Sequence, residues 1–382
     1  MQVLPILQAA PPVHPGRGRV RAGRRGGGGA QQQEQGKDEE GQDWRGHRLD
    51  IERVTNAANL RPPAGGVAAI LSLPIRALEW SARQGGVLLA ASIFAGLFIP
   101  PLAAALREAV TPIVALLMTL VLLRVDPVQV LAYLRRPLLV AALLAWLLLG
   151  CPLLAFAVTR ALGLDGPMGA GLVIVATGCA ATSSPAFARL VGLDGEVALV
   201  ASLLSTLLVP FTAPPLALGL LGIDLSITVA GLMARLALVV GLPLVVSLAI
   251  RQMAGPARLA RWGGAVDGAV VLLVVLYGFG VMDGVLALLL AEPGLVLGGI
   301  LLAFAGCLGL NLATALAFRP AGRRLSLSAG LLSGNRNMAL YLAVMPASTE
   351  PRILLFFVLC QFPLFLSPFL LKPVYARLAR HG

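Results

Sequence analysis

Two short polar runs interrupt apolar segments that are otherwise long enough to cross a membrane. The first is Thr177–Pro185, which is rich in hydroxyl groups, and the second is Ser333–Asn337, in which Arg336 stands between two asparagines. Hydroxyl and amide groups can bind an ion or a polar ligand, and a guanidinium binds carboxylates through parallel hydrogen bonds. Because a charged side chain inside the bilayer is costly unless it is paired or hydrated, Arg336 is a candidate functional residue.

Each run also has a purely structural interpretation. Small hydroxyl residues such as Thr182–Ser184 allow helices to approach closely, which is an alternative to ligand binding. Arg336 could be a structural arginine that is satisfied by carbonyl groups at helix ends. Both interpretations stay open for each run, and the occurrence of two such runs favours the functional one.

The composition places the chain among membrane proteins. Of its 382 residues, 58% are hydrophobic and 13% are charged, which exceeds what a soluble domain of this length could bury. The net charge of +12 comes from arginines in the N-terminal tail and at the ends of apolar runs, without a basic stripe interleaved with aromatic residues. A nucleic-acid partner is therefore not expected, and the lipid bilayer is.

A helix needs about 20 apolar residues to cross a bilayer, and ten segments meet that requirement approximately. These predicted spans, one to ten, are Gly85–Leu106, Ala109–Val125, Pro137–Leu162, Gly166–Leu190, Val197–Leu221, Ser226–Ile250, Val266–Ala291, Gly294–Phe318, Leu325–Ala347 and Ile353–Tyr375. With both termini inside, most arginines fall in cytoplasmic loops, as the positive-inside rule requires. We expect an integral protein of a bacterial-type inner or plasma membrane.

The polar runs occupy corresponding positions, since spans four and nine are each the fourth of a set of five. An odd number of spans per set implies two halves of opposite orientation, and transporters of that build bind substrate where broken helices meet near the midplane. Pro185 and Gly334 are expected to break their helices. The predicted fold is therefore an all-α membrane protein of ten transmembrane helices, arranged as two inverted five-helix repeats with crossing discontinuous helices four and nine.

The N-terminal part differs from the rest of the chain. Residues 1–76 are rich in Arg, Gly, Gln and charged residues, which predicts a disordered cytoplasmic tail or a start codon assigned too far upstream. Residues 77–382 form the predicted ten-helix transporter unit. The four cysteines lie in apolar segments without metal-ligand spacing and are expected to be buried thiols.

Several short motifs resemble the bile acid:sodium symporter family. They are Gly178–Ser184, Val197-Ala198-Leu199, Leu204–Leu207 and Gly334–Ala339, and the resemblance covers approximately residues 80–380. It implies a core domain of crossing helices, a panel domain and alternating access. It also implies substrate-binding residues at the two crossing points: Thr182, Ser183, Ser184, Asn335, Arg336 and Asn337.

The departures from the family pattern concern sodium. Sodium-coupled members typically carry a Glu two residues before the second crossover glycine, where this chain has Leu332, and a Gln where it has Arg336. The usual Asn after the first Ser pair is Pro185. Without a carboxylate a sodium site should be weak, so we expect Arg336 to stand in for the ion. The oxygen ligands that remain by position are those of Ser184, Ser202 and Thr206.

Polar residues of the spans outside the two polar runs are weaker candidates for a functional role. Asp283 in span seven is a candidate coupling residue that could carry a proton, pair with an arginine or reach headgroup water. Asn311, Thr314 and Gln361 could line the cavity but are expected to bond across helices. Arg235 is expected to snorkel or to mark a later start of span six, and the prolines at 152, 243 and 363 to kink their helices.

The sequence thus predicts a secondary active transporter of a small organic anion, with no cofactor other than a sodium ion or proton as coupling ion. A proton-coupled or passive carrier, and a membrane receptor or sensor that does not transport, are the alternatives. An enzyme is not expected: Asp267 and Asp283 lie about 24 Å apart on one predicted helix, and all three histidines lie near the chain ends.

Overall fold

A computed structural model of the chain describes residues 66–125, 137–221, 227–346 and 348–380. Most of the predicted tail, residues 1–65, lies outside them. Its predicted boundary at residue 76 falls within a helix, because the chain is helical from Gly66 to Arg83. Residues 76–382 form one compact unit.

The described residues are almost entirely helical and contain no β-strand. In chain order the α-helices are α1 Gly66–Arg83, α2 Gly85–Phe98, α3 Pro100–Arg107, α4 Val110–Leu123, α5 Pro137–Ala145, α6 Cys151–Ala161, α7 Pro167–Thr177, α8 Ser184–Leu190, α9 Gly195–Leu221, α10 Val229–Arg261, α11 Gly263–Val281, α12 Val285–Ala291, α13 Pro293–Ala317, α14 Arg323–Gly334, α15 Met338–Val344, α16 Pro351–Leu359 and α17 Gln361–Arg380. A π-helical turn, Trp146–Gly150, joins α5 to α6, and a 3₁₀ turn, Arg319–Ala321, precedes α14.

Prolines mark the starts of many of these helices. A proline in the first helical turn sacrifices no hydrogen bond, because the first N–H groups of a helix have no intrahelical partner. This position is occupied by Pro100, Pro167, Pro185, Pro293 and Pro351. Pro185 therefore begins α8 rather than breaking a helix at its own position, although span four does break just before it.

The number of membrane crossings is bounded by helix length. Five uninterrupted stretches are long and apolar enough to span, and three bent helix pairs raise the number to eight. Spans four and nine are not among these eight, because each is a pair of short helices. The ten-span inverted repeat therefore stays a prediction, and labelling of cysteines introduced into the loops would test it.

Span one differs from its predicted extent of Gly85–Leu106. The helix ends at Phe98, and Ile99 adopts a non-helical conformation (φ −121°, ψ 67°) before the Pro100-Pro101 pair. A proline disfavours the helical conformation of the residue before it, which explains the break. The following α3 instead forms a pair with α4, bent by 71°.

Many of the helices pack in two groups, which an extensive contact between α9 and α10 joins. Helices α2, α3, α4, α10 and α11 form one group, in which α11 contacts α2, α3 and α4. The other group contains α5–α9, α13, α14 and α16, with α14 packed along α13. In the first group, Arg124 binds Asp267 through two hydrogen bonds of 2.7 and 3.0 Å and so links the end of α4 to α11.

Candidate functional site

The two predicted polar runs are the places where helices stop. Helix α7 ends at Thr177, and Gly178 turns the chain into an extended conformation (φ −65°, ψ 161°) until α8 begins. Helix α14 ends at Gly334, and both Asn335 (φ −98°, ψ 95°) and Asn337 (φ −84°, ψ 91°) are extended before α15 begins. Both spans thus break at the residues that sequence analysis selected.

The two extended segments hydrogen-bond to each other as a short antiparallel bridge. The Ala181 N–H donates to Asn335 O at 2.8 Å, and the Asn337 N–H donates to Cys179 O at 2.9 Å. Backbone groups released by the two broken helices therefore satisfy each other, as they must in a membrane interior that contains no water. We call the segments 178–183 and 335–337 together the crossover.

Arg336 is buried in the crossover with only 3% of its surface exposed. Its Nε donates to Ser333 O at 2.8 Å, and its Nη1 donates to Gly178 O at 2.8 Å and to Leu147 O at 3.0 Å. Two of these carbonyl groups lie at the C-terminal ends of α14 and α7, where the helix dipoles place partial negative charge. No ion pair between described residues involves Arg336, so carbonyl oxygens alone balance its charge there.

Four side-chain atoms around the crossover are buried and have no hydrogen-bond partner in the part of the chain that the structure describes. They are Ser184 Oγ, Asn335 Oδ1, Arg336 Nη2 and Asn337 Nδ2. Buried polar atoms in proteins are nearly always hydrogen-bonded, so a concentration of exceptions calls for an explanation. Water or the polar groups of a ligand would supply the partners that these atoms need.

A small cavity adjoins the arginine. It measures about 20 Å³, which is room for about one water molecule, and Gly334, Arg336, Cys307 and Cys360 are among the residues that line it. Apart from the guanidinium, its walls are mostly apolar. An organic anion does not fit into this cavity in the present conformation, so its binding would require the surrounding helices to move.

The oxygen ligands predicted on α9 lie beside the crossover. The Ser202 and Thr206 hydroxyls donate to carbonyl groups of their own helix, Leu199 O at 3.0 Å and Ser202 O at 2.7 Å. The Thr206 side chain also lies beside the Cys179 thiol. Thr182 and Ser183 are half-buried in the connection before α8.

Sequence analysis missed three contributors to this site. Ser205 accepts a hydrogen bond from the Ala180 N–H at 3.2 Å and so anchors the first extended segment to α9. The Ser202-x-x-Ser205 spacing on one helical face could have indicated it. The main-chain oxygens of Leu147 and Ser333 could not be found in this way, because a carbonyl acceptor has no side-chain signature.

The coupling candidate Asp283 lies outside this cluster. Its Oδ2 is 3.1 Å from Arg107 Nη1, and the Arg107 side chain is 73% exposed. The structure thus shows one of the three options left open for Asp283, an ion pair with an arginine. Exposed pairs of this kind contribute little to stability.

The other intramembrane polar groups bond between helices or to a helix end. Trp146 Nε1 donates to Thr314 Oγ1 at 2.7 Å, Asn311 Nδ2 to Tyr375 OH at 2.6 Å, and Gln361 Nε2 to Tyr277 OH at 3.0 Å. Arg235 Nη1 donates to Val344 O, the last carbonyl of α15, at 3.2 Å.

No group of three His, Cys, Asp or Glu side chains that could hold a metal ion occurs among the described residues. Leu332, at the position of the family glutamate, is fully buried. An ion at the crossover would therefore bind only neutral oxygen atoms of the residues described there.

Long apolar helices, and a buried charge balanced by helix-end carbonyls, define an integral α-helical membrane protein. Residues 111–257 match the family model described as the Sodium Bile acid symporter family. The match confirms the resemblance and supports membership of the chain in this family of transporters. It includes the first extended segment but not Arg336. No curated protein matches the chain.

Proposed function

We propose that the chain is a secondary active transporter of a small organic anion and that Arg336 provides the positive charge that a coupled sodium ion would otherwise bring. The observation that carries the proposal is the burial of this guanidinium among carbonyl oxygens from both broken helices. The family match supports transport, while the substrate class and the role of Arg336 are the proposal.

The contacts of Arg336 support its role as a fixed cation. Sodium binds hard oxygen ligands such as main-chain carbonyls, and the guanidinium occupies three of these at the crossover. With Leu332 in place of a carboxylate, a sodium ion would add a second positive charge with no anionic ligand to balance it. Arginine and sodium therefore exclude each other here.

The same group offers a place for the anion. Neither Arg336 Nη2 nor Asn337 Nδ2 has a hydrogen-bond partner among the described residues. Both are donors, and hydrogen bonds from a charged donor to a carboxylate are about twice as strong as neutral ones. The proposed substrate-binding residues remain Thr182, Ser183, Ser184, Asn335, Arg336 and Asn337, with Ser184, Ser202, Thr206 and Arg336 around the position of the ion.

We also propose that the two groups of helices act as the core and panel domains of a ten-span inverted repeat. The core would contain the crossover, and its movement against α2, α3, α4, α10 and α11 would give alternating access. The size of the cavity beside Arg336 supports such a movement, because this cavity has room for about one water molecule.

The experiment is uptake of a panel of organic anions into vesicles that contain the purified protein, with and without a sodium gradient. Wild type, Arg336→Gln and the double variant Leu332→Glu with Arg336→Gln are compared. Arg235→Gln is the matched control, since Arg235 also donates to a helix-end carbonyl but lies outside the crossover.

We expect sodium-independent uptake that is lost in Arg336→Gln, retained in Arg235→Gln and regained with sodium dependence in the double variant. Steep sodium dependence of the wild type would refute the fixed-cation role. Uptake that follows external pH and is lost in Asp283→Asn would favour the proton-coupled alternative, and binding without counterflow would favour a receptor.

A further inference from the structure

Span three contains a π-helical turn at the point where it meets the crossover. Between α5 and α6, residues Trp146–Gly150 are wound so that the Cys151 N–H donates to Trp146 O, five residues back, instead of four. A π-turn inside an α-helix is rare, is less stable than regular winding and occurs frequently at functional sites. This turn therefore needs a physical reason.

The turn and the following proline together leave one carbonyl group without a donor in its own helix. In regular α-winding Leu147 O would accept from the Cys151 N–H, but that group is bound to Trp146 O. In π-winding it would accept from residue 152, which is a proline and has no N–H. Leu147 O is thus free to accept from outside the helix, and it accepts from Arg336 Nη1 at 3.0 Å.

Neighbouring contacts hold the turn in this winding. The Trp146 indole donates to Thr314 Oγ1 of α13 at 2.7 Å, and its ring packs edge-on against Phe318 at 6.3 Å. A Cβ atom on Gly150 would lie 2.9 Å from the Trp146 ring, so the indole occupies the space that a side chain at position 150 would need. Span three is fixed to α13 on the same turn that presents Leu147 O.

We infer that the π-turn and Pro152 form a positioning element, which presents the Leu147 carbonyl as the third acceptor of Arg336 and so couples span three to the crossover. The contact itself does not depend on what the protein transports. Its consequence for transport rests on the proposed function, because a guanidinium held by three helices is fixed in position and orientation and a guanidinium held by two is not.

The test is a double-mutant cycle on thermal unfolding of the full chain in detergent. Pro152→Ala restores an N–H group at residue 152, which competes with Arg336 for Leu147 O in the wild type but satisfies this oxygen in Arg336→Gln. We expect Pro152→Ala to lower Tm in the wild type and to lower it less, or raise it, in Arg336→Gln. The two shifts should differ by about 3 °C, which corresponds to one lost hydrogen bond.

Pro243→Ala is the control, because Pro243 is also a buried proline inside a long helix, α10, and lies away from Arg336. Its Tm shift should be the same in both backgrounds. Gly150→Ala, which displaces the Trp146 ring, is a second perturbation of the turn. Its Tm shift should also differ between the wild-type and Arg336→Gln backgrounds. Equal shifts of Pro152→Ala in the two backgrounds would overturn the inference.

The unfolding measurement separates this inference from the proposed function. If the Tm shifts of Pro152→Ala differ between the two backgrounds but the protein transports no anion, the positioning element stands and the transport role of Arg336 falls. If anion uptake requires Arg336 but the two Tm shifts are equal, the transport role stands and the positioning element falls.

Discussion

Arg336 illustrates how main-chain carbonyl groups can accommodate a charged side chain in the interior of a membrane protein, since no described acidic residue pairs with it. Three carbonyl oxygens accept its hydrogen bonds, and two of them lie at the negative ends of α7 and α14. Each hydrogen bond to a charged group contributes about 1.5–3 kcal/mol. The structural interpretation of this arginine therefore leaves room for the proposed functional one, since the carbonyl groups hold it while Nη2 has no partner among the described residues.

Chemical rescue tests the role of the charge at this residue. In Arg336→Ala the three carbonyl oxygens keep their positions and lose their donor, so added guanidinium ion should bind between them and restore anion uptake at least several-fold. Sodium or choline at the same concentration should restore much less uptake, because neither has the planar set of N–H donors that a guanidinium presents.

Arg235→Ala, assayed in parallel, should show no response to guanidinium. Rescue of Arg336→Ala by choline as well as by guanidinium would mean that nonspecific ionic strength is responsible, and the fixed-cation role would then be withdrawn.

The side chains of this site, and helix-end carbonyl groups as a class of partner, could be predicted from the sequence, but the particular main-chain acceptors could not. Asn335, Arg336, Asn337 and Ser184 stand out because polar residues are rare in apolar spans. The Leu147 carbonyl depends on helix winding, which the leucine-rich sequence around it does not reveal. Pro152 was expected only to kink its helix, whereas its missing N–H leaves an acceptor free for a residue far away in the chain.

At the scale of elements, the crossover depends on close packing of α14 against α13. A Cβ atom on Gly334 would lie 2.7 Å from Cys307 O, and one on Gly330 would lie 2.7 Å from Asn311 O. The two glycines are four residues apart and form a small-residue pair, which allows helix backbones to approach closely in membranes. The end of α14, and with it the direction of the chain through Asn335, is fixed by this contact.

Gly334→Ala is expected to destabilise the protein by about 1–3 kcal/mol, because overpacking forces helices apart. The measurement is Tm in detergent together with anion uptake. Gly309→Ala is the control on the partner helix α13, since no atom lies within 4 Å of a Cβ at that position. If Gly334→Ala had the same Tm as Gly309→Ala, α13 and α14 could move apart without loss of stability, and the argument from close packing would be wrong.

The breaks of spans four and nine could be predicted because glycine, proline and polar residues coincide there. The break at Ile99 also has a sequence signal, the Pro100-Pro101 pair. It was missed because the apolar run continues through the prolines, and hydropathy carries no information about backbone direction. The pairing of α3 with α4 follows from that missed bend.

At the scale of the molecule, a transporter whose cation is part of the protein differs from a sodium-coupled one in the net charge that it moves per cycle. Sodium ions that enter with an anion offset or exceed its negative charge. A guanidinium that is covalently part of the protein returns with the empty carrier, so it cancels over a complete cycle. The net charge moved per turnover is then that of the substrate alone.

This electrical balance can be measured in vesicles in which a potassium gradient and an ionophore set the voltage. We expect uptake of a monovalent anion to rise when the vesicle interior is positive and to fall when it is negative. Arg235→Gln should keep this response. Vesicles with equal potassium on both sides provide the reference at zero membrane voltage. Uptake that is indifferent to voltage would mean that a second ion travels with the substrate.

The buried arginine thus has an energetic consequence for a whole cell. Moving one elementary charge across 100 mV corresponds to about 2.3 kcal/mol, and cells keep their interior negative. In a cell, a carrier with a tethered cation would release anions outward without any ion gradient. It would take anions up only in exchange for another anion or down a concentration gradient steep enough to outweigh the voltage. The voltage across the membrane, rather than sodium, would be its source of work.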